Sequence, residues 1–219
     1  MRHYVEEEVT KKGIIFDLDG TLWDSSDSVT KSWNEAISTY ENINYRMTVE
    51  SMKGFMGKTI DEIADLFFAG LPKHVRKDIM DKCIRYEQEY IEKHGGFLFP
   101  GVLETLEQLS EEYRLYIVSN CQEGYIEAFM KYHKVEKYFD DFENAGRTGK
   151  TKGENIRLVV ERNNLGNAAY VGDTQGDFNA ARFAKIPFIH ARYGFGEISE
   201  PVVFVERVCE IPIKIKDLT

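Results

Sequence analysis

The sequence predicts an α/β fold, a doubly wound parallel sheet carrying an inserted α-helical module. Three observations predict it. Short apolar runs rich in Ile, Val, Phe and Tyr recur at "GIIFD", "LYIVSN", "AAYVGD" and "IPFIHAR". Each is of strand length, bounded by Gly, Asp, Asn or Pro, and apolar on successive residues, as in strands covered on both faces. Segments with helical spacing alternate with them, which is the order of a parallel α/β domain. From about Asp24 to about Phe97 the alternation stops, and only helical patterns are found.

In chain order, "GIIFD" is the first strand and stops at a charge. "SVTKSWNEAISTY" reads as an amphipathic helix with Ser25 or Ser26 as its N-cap. "TIDEIADLFFAG" closes on a glycine, a natural helix stop. "PKHVRKDIMDKCIRYEQEYIEKHGG" opens with Pro and closes with Gly-Gly, the marks of one long helix. "FLFPGV" leads back into the alternating pattern. The remaining helices are "VLETLEQLSEEY", "GYIEAFMKYH", "ENIRLVVERNN" and "DFNAARFAK", and the C-terminal "VVFVERVCEIPIKI" is expected to close the sheet edge. The domain division is therefore a core of residues 1–23 and 98–219 with a helical insert over 24–97. The two crossings, near Trp23–Ser25 and Gly96–Pro100, are candidate hinges.

A formal net charge of −9 argues against nucleic acid or an anionic membrane surface as partner. Three cysteines, Cys83, Cys121 and Cys209, fit neither a disulfide framework nor a zinc motif, and a reducing cytoplasm suits them. The start, "MRHYVEEEVTKKG", lacks the apolar core of a signal peptide, and no run is long enough to cross a bilayer. A cytoplasmic protein, monomer or homodimer, is expected.

Ligands of open α/β sheets bind beyond the carboxyl ends of the strands. There the chain carries Asp17-Leu18-Asp19-Gly20-Thr21, Ser119-Asn120, and Gly172-Asp173-Thr174 with Asp177 one turn further on. Lys152 stands just before the helix opening at "GENIRL". Crowded carboxylates resist joint ionisation. A hard divalent cation resolves that conflict, and Mg²⁺ favours a few carboxylates together with substrate phosphate. Ser, Asn and Lys suit phosphate oxygens. In an extended strand end, residues two apart point the same way, so Asp17 and Asp19 are expected to face one substrate. Asp17 is then a candidate nucleophile and Asp19 a candidate acid and base. Gly20 permits a sharp exit, and Thr21 is expected to buttress the loop through its hydroxyl.

These residues resemble the motifs of the haloacid dehalogenase-like hydrolase superfamily. "DLDGTL" resembles the first motif, "VSN" the second, Lys152 the third and "VGDTQGD" the fourth, in the right order. The resemblance spans nearly the whole chain, and the helical insert is similar to the cap of the phosphoglycolate phosphatase-like branch. It implies a Rossmann-like core with a lid over the site. It implies Asp17 as nucleophile and Asp19 as acid/base. Mg²⁺ would be held by the side chains of Asp17 and Asp173 and the carbonyl of Asp19, with Asp177 behind them. Ser119, Asn120 and Lys152 would hold phosphate. Gly153 stands where relatives often carry Pro after that lysine, and Lys150 is the alternative ligand. An Asp at position 19 points to phosphate-ester hydrolysis, of phosphoglycolate or another small phosphorylated metabolite. A phosphomutase is the runner-up, and a non-catalytic binding protein the reading from another class.

Outside the motifs, Lys58 in "GFMGKTI" is a candidate contact for a substrate anion, set against a plain solvated lysine. "YGFGE", Tyr193 to Glu197, reads as a structural turn more than as part of the site, and the five histidines are given no role.

Overall fold

The structure, a computed structural model, describes residues 11–218. The N-terminal stretch in which a leader core was sought lies, up to residue 10, outside the described residues. Strand β1 (Lys11–Phe16) is central in a six-stranded sheet with β4 (Arg114–Ser119), β5 (Phe139–Asn144), β6 (Leu165–Gly172), β7 (Phe188–Ala191) and β8 (Val203–Val205). The order is β5-β4-β1-β6-β7-β8 and every pairing is parallel. From β1 the chain runs outward to β4 and β5, then returns to β6 on the other side. The reversal lies between β1 and β6, where such sheets open a crevice at their carboxyl ends.

Alternate residues of each strand serve opposite faces. Ile14 and Phe16 join Leu115, Ile117, Ala169 and Val171 in one apolar cluster, while Ile15 joins Tyr116, Val118 and Tyr170 in the other. Helices α8 (Lys152–Arg162) and α9 (Gln175–Ala184) cover the second face through Ile156, Val159, Ala180 and Ala181. Helices α5 (Val102–Ser110), α6 (Tyr125–His133) and α10 (Ile211–Lys214) cover the first. A short α7 (Ala145–Thr148) follows β5.

The crossings after β1 pair with each other. β2 (Trp23–Asp24) and β3 (Phe97–Leu98) form a two-stranded antiparallel ribbon. Between them run α1 (Ser26–Ser38), α2 (Val49–Lys53), α3 (Ile60–Phe67) and α4 (Lys73–His94). Their buried side chains, Trp33, Met52, Ile63 and Met80 among them, continue the first apolar cluster.

Two local expectations change. Ser25 holds the N-cap position of α1 but makes no side-chain capping bond, and Ser26 turns back to Asp24. β5, "FDDFEN", was not anticipated. No helix among the described residues is long and apolar enough to cross a membrane.

Candidate active site

Asp17 is the first residue past β1. Its N–H still pairs with the Val171 carbonyl at 2.8 Å, which fixes the backbone while the side chain enters the crevice. Asp17 Oδ1 accepts a hydrogen bond from Lys152 Nζ at 2.9 Å, and the same ammonium donates to Asp177 Oδ1 at 2.6 Å. All three residues are buried. Lys152 is the first residue of α8 rather than the one before it, because Thr151 caps the helix in a reciprocal box with Glu154. Lys150 is exposed. Burial pushes the Asp17 carboxyl up to about 7, Asp177 adds to the rise, and Lys152 opposes it. Burial works against charge on Lys152, but Asp17 and Asp177 outweigh it and hold the ammonium above its usual range.

Asp173 is the first residue past β6. Its Oδ2 accepts from the Phe195 N–H at 2.7 Å, and its Oδ1 is buried without a hydrogen-bond partner. Burial, then Asp177 and Asp17, raise its carboxyl well above the usual range. Asp177 sits in the first turn of α9, where its Oδ2 accepts from Thr174 N at 2.9 Å and Thr174 Oγ1 at 2.7 Å. Both Asp177 oxygens are thus committed within the protein. The close approach of the Asp17–Thr21 loop needs glycine at position 20. Its φ is +82°, and a Cβ there would stand 2.2 Å from Asp173 Oδ2.

Asp17 and Asp19 do not stand in one extended strand end. β1 stops at Phe16, and the chain bends at Leu18 and turns at Gly20, with Asp19 bridged to Trp23. Asp17 faces Lys152, whereas Asp19 Oδ1 accepts from Ser25 Oγ at 2.6 Å and lies 3.0 Å from the Tyr125 hydroxyl. Burial raises the Asp19 carboxyl, and the Ser25 and Tyr125 hydrogen bonds oppose the rise. Thr21 is also corrected: its hydroxyl is buried without a partner, and its carbonyl instead accepts from the Tyr193 hydroxyl at 2.8 Å.

Asp19, Ser119, Asn120 and Lys58 line one small space under the helices, about 50 Å³, together with Trp33 and Phe55. That is room for a few water-sized groups. Ser119 ends β4 with its hydroxyl against the Cys121 thiol. The Asn120 amide donates to Gly57 O at 2.8 Å, across to the loop that carries Lys58. Lys58 itself is exposed. The crevice therefore offers a free carboxylate oxygen on Asp17, a buried ammonium beside it, and a separate acid facing a small chamber.

A family model for haloacid dehalogenase-like hydrolases matches residues 14–191. The chain belongs to that family. A phosphoglycolate phosphatase from Aliivibrio fischeri is 25% identical over 205 residues, covering 87% of this chain and 88% of the relative. One from Salmonella choleraesuis is 27% identical over 234 residues, covering 89% and 88%. Among solved structures, a predicted phosphatase from Clostridium acetobutylicum superposes with a TM-score of 0.78 at 24% identity, covering 95% of this chain and all of that one.

In this haloacid dehalogenase-like hydrolase, Asp17, Asp173 and Asp177 bring carboxylate oxygens within 4.8 Å of one another. Two buried oxygens, Asp17 Oδ2 and Asp173 Oδ1, lack partners. A crowded, all-oxygen donor set with such orphaned atoms fits a hard cation such as Mg²⁺.

Sequence reasoning missed three contributors. Ser25 and Tyr125 grip Asp19, and nothing local in the sequence marks them. The Tyr193–Glu197 loop, read as a structural turn, packs on Asp173: Phe195 donates to its carboxylate, and a Cβ at Gly194 would stand 2.3 Å from Gly20 O. Two glycines alternating just past a strand end were the available signal.

Proposed function

We propose that this chain is a magnesium-dependent phosphatase, hydrolysing a small phosphomonoester of the phosphoglycolate kind through an aspartyl-phosphate on Asp17. The observation that carries the proposal is the division of Asp17: Oδ1 rests on the Lys152 ammonium, and Oδ2 is buried and unengaged. Asp17, Asp173 and the Asp19 carbonyl would hold Mg²⁺, whose charge offsets the clustered carboxylates and the phosphoryl oxygens.

The residues then act in order. Ser119, Asn120 and Lys152 bind the phosphoryl oxygens, and positioning and charge neutralisation supply most of the rate in such transfers. The Asp17 carboxylate attacks phosphorus, and the bond to the ester oxygen breaks. Asp19, whose raised carboxyl can keep a proton, donates it to that oxygen. Asp19 next takes a proton from water, which attacks phosphorus and releases phosphate and free Asp17. The leaving group lies on the Asp19 side, in the small chamber, where Lys58 would meet a substrate anion. The helices between β2 and β3 act as a lid.

The test is phosphate release from a panel of phosphorylated metabolites, with Mg²⁺ or EDTA, for wild type and Asp17→Asn. Release that needs Mg²⁺ and vanishes in the variant is expected. Equal release by both proteins on every compound would end the proposal.

A further inference from the structure

Among the described residues, the buried carboxylates other than Asp17, Asp19, Asp173 and Asp177 are Glu143 and Glu87. Glu143 is paired with Arg147 and Arg162. Glu87, on α4, has no basic residue among the groups that act on it. It lines the same chamber as Asp19, Ser119 and Asn120. The titratable groups that act on it are Asp19 from the loop after β1, Cys121 and Tyr125 from the stretch after β4, and Cys83 one turn earlier on α4, while the exposed Lys58 lines the same chamber. Burial pushes its carboxyl up to about 7, against the hydrogen bonds it receives.

Burial opposes the charge of a carboxylate that no cation is paired with, so what holds Glu87 there is the hydrogen bonds it accepts. What Glu87 supplies is two acceptors at once. One oxygen accepts from the Trp33 indole N–H on α1. The other accepts from Gln122 Nε2 at 2.7 Å. Gln122 lies two residues beyond Asn120, whose own amide donates to Gly57 O at 2.8 Å. The segment from Ser119 to Gln122 is therefore held to the helical module at two points, one on each side of Cys121.

We propose that Glu87 is a positioning residue: by joining Trp33 to Gln122 it ties closure of the helical module to the placement of Ser119 and Asn120 for phosphate. This rests on the phosphatase reading above. It acts through Gln122, not through contact with the reacting atoms. Glutamine at 87 can keep both links, with its oxygen on Trp33 and its amide on a flipped Gln122. Leucine keeps the volume and loses both.

The experiment compares wild type, Glu87→Leu, Glu87→Gln, Gln122→Ala and the Glu87→Leu/Gln122→Ala double variant. It measures kcat and KM on the best ester, Kd for inorganic phosphate with Mg²⁺, and Tm. Glu87→Leu should raise KM and the phosphate Kd about tenfold, with kcat changed less and Tm lowered, because the buried Trp33 and Gln122 donors lose their acceptor. Glu87→Gln should restore most of that loss. Gln122→Ala should resemble Glu87→Leu, and the double variant should be no worse than either. Wild-type KM and Kd in a folded Glu87→Leu would overturn the proposal, as would losses that multiply in the double variant. If wild type neither cleaves any ester nor binds phosphate, the phosphatase reading falls and this one with it. The two failures are thus distinguishable.

Discussion

Ser25 Oγ donates to Asp19 Oδ1 across 2.6 Å. Ser25 stands at the crossing into the helical module, directly after β2. The proposed acid is thus gripped by the hinge, and the serine that could have capped α1 is spent on it. The Tyr125 hydroxyl, 2.8 Å from Ser25 Oγ, completes the triangle from α6. Ser25→Ala and Tyr125→Phe should each lower kcat about tenfold, because the leaving-group proton is then less well aimed. Ser25→Ala should also lose about 1 kcal/mol of stability, because the buried hydrogen bond to Asp19 is removed although no capping bond is. Steady-state kinetics on slow and activated leaving groups checks this. An aryl phosphate that needs no protonation should be nearly unaffected, and equal losses on both substrates would contradict the assignment.

Lys152 holds two carboxylates together, at 2.9 and 2.6 Å. Removing one partner of a buried ion pair costs about 3–5 kcal/mol, because the others remain uncompensated. Lys152→Met should lower Tm accordingly and abolish phosphate release. Adding Asp17→Asn should recover part of the Tm but none of the activity. Thermal unfolding of wild type and the two variants decides it, and an unchanged Tm in Lys152→Met would show that the aspartates carry no mutual repulsion.

Most of the crevice could be read from the chain. Asp17, Ser119 and Asp173 each end an apolar strand-length run, and parallel strands must bring those ends to one edge. What escaped notice depended on tertiary neighbours. "FDDFEN" looks too polar for a buried strand, yet Asp141 and Glu143 are matched by Arg162 from α8 and Arg147 from α7, leaving Phe139 and Phe142 to pack inward. Tyr125 reaches Asp19 from 106 residues away. The hydrogen bonds that aim the Asp19 side chain lie outside the two-residue strand rule, because β1 stops at Phe16.

Stability should fall as pH rises in the metal-free protein. Asp17 and Glu87 are each held near 7 in the fold, mainly by burial, against ordinary values of 3.8 and 4.5. Raised acids keep protons that the unfolded chain gives up. The stability they contribute is complete below the unfolded value and disappears as pH climbs through the folded one. Each group accounts for up to about 1.4 kcal/mol per pH unit in that window. Scanning calorimetry in EDTA should show Tm declining between about pH 4 and 7. The decline should be shallower in Glu87→Gln, and shallower again when Mg²⁺ replaces EDTA, since a ligand of the folded state stabilises it. A Tm that rises over this range would refute the assignment.

The Tyr193–Glu197 loop should matter as much as the motif residues it touches. A Cβ at Gly194 would stand 2.3 Å from Gly20 O and 2.4 Å from Asp173 Cβ. Both are held in the buried turns at the strand ends, so the loop itself must move. That movement would pull the Phe195 N–H off Asp173 Oδ2 and free a carboxylate whose aim the site depends on. Gly194→Ala should therefore weaken Mg²⁺ binding and lower kcat/KM by about a hundredfold, a 1 Å misplacement being enough for that. Gly176→Ala is the matched control. It lies in α9 beside Asp177, its added Cβ would meet Thr174 Oγ1 only at 3.4 Å, and alanine is the better helix former by about 1 kcal/mol. Titration calorimetry with Mg²⁺ and Tm for both variants separates the cases. Loss confined to Gly194→Ala places the loop in the site, whereas wild-type Mg²⁺ affinity in that variant would return it to a turn with no part in the chemistry.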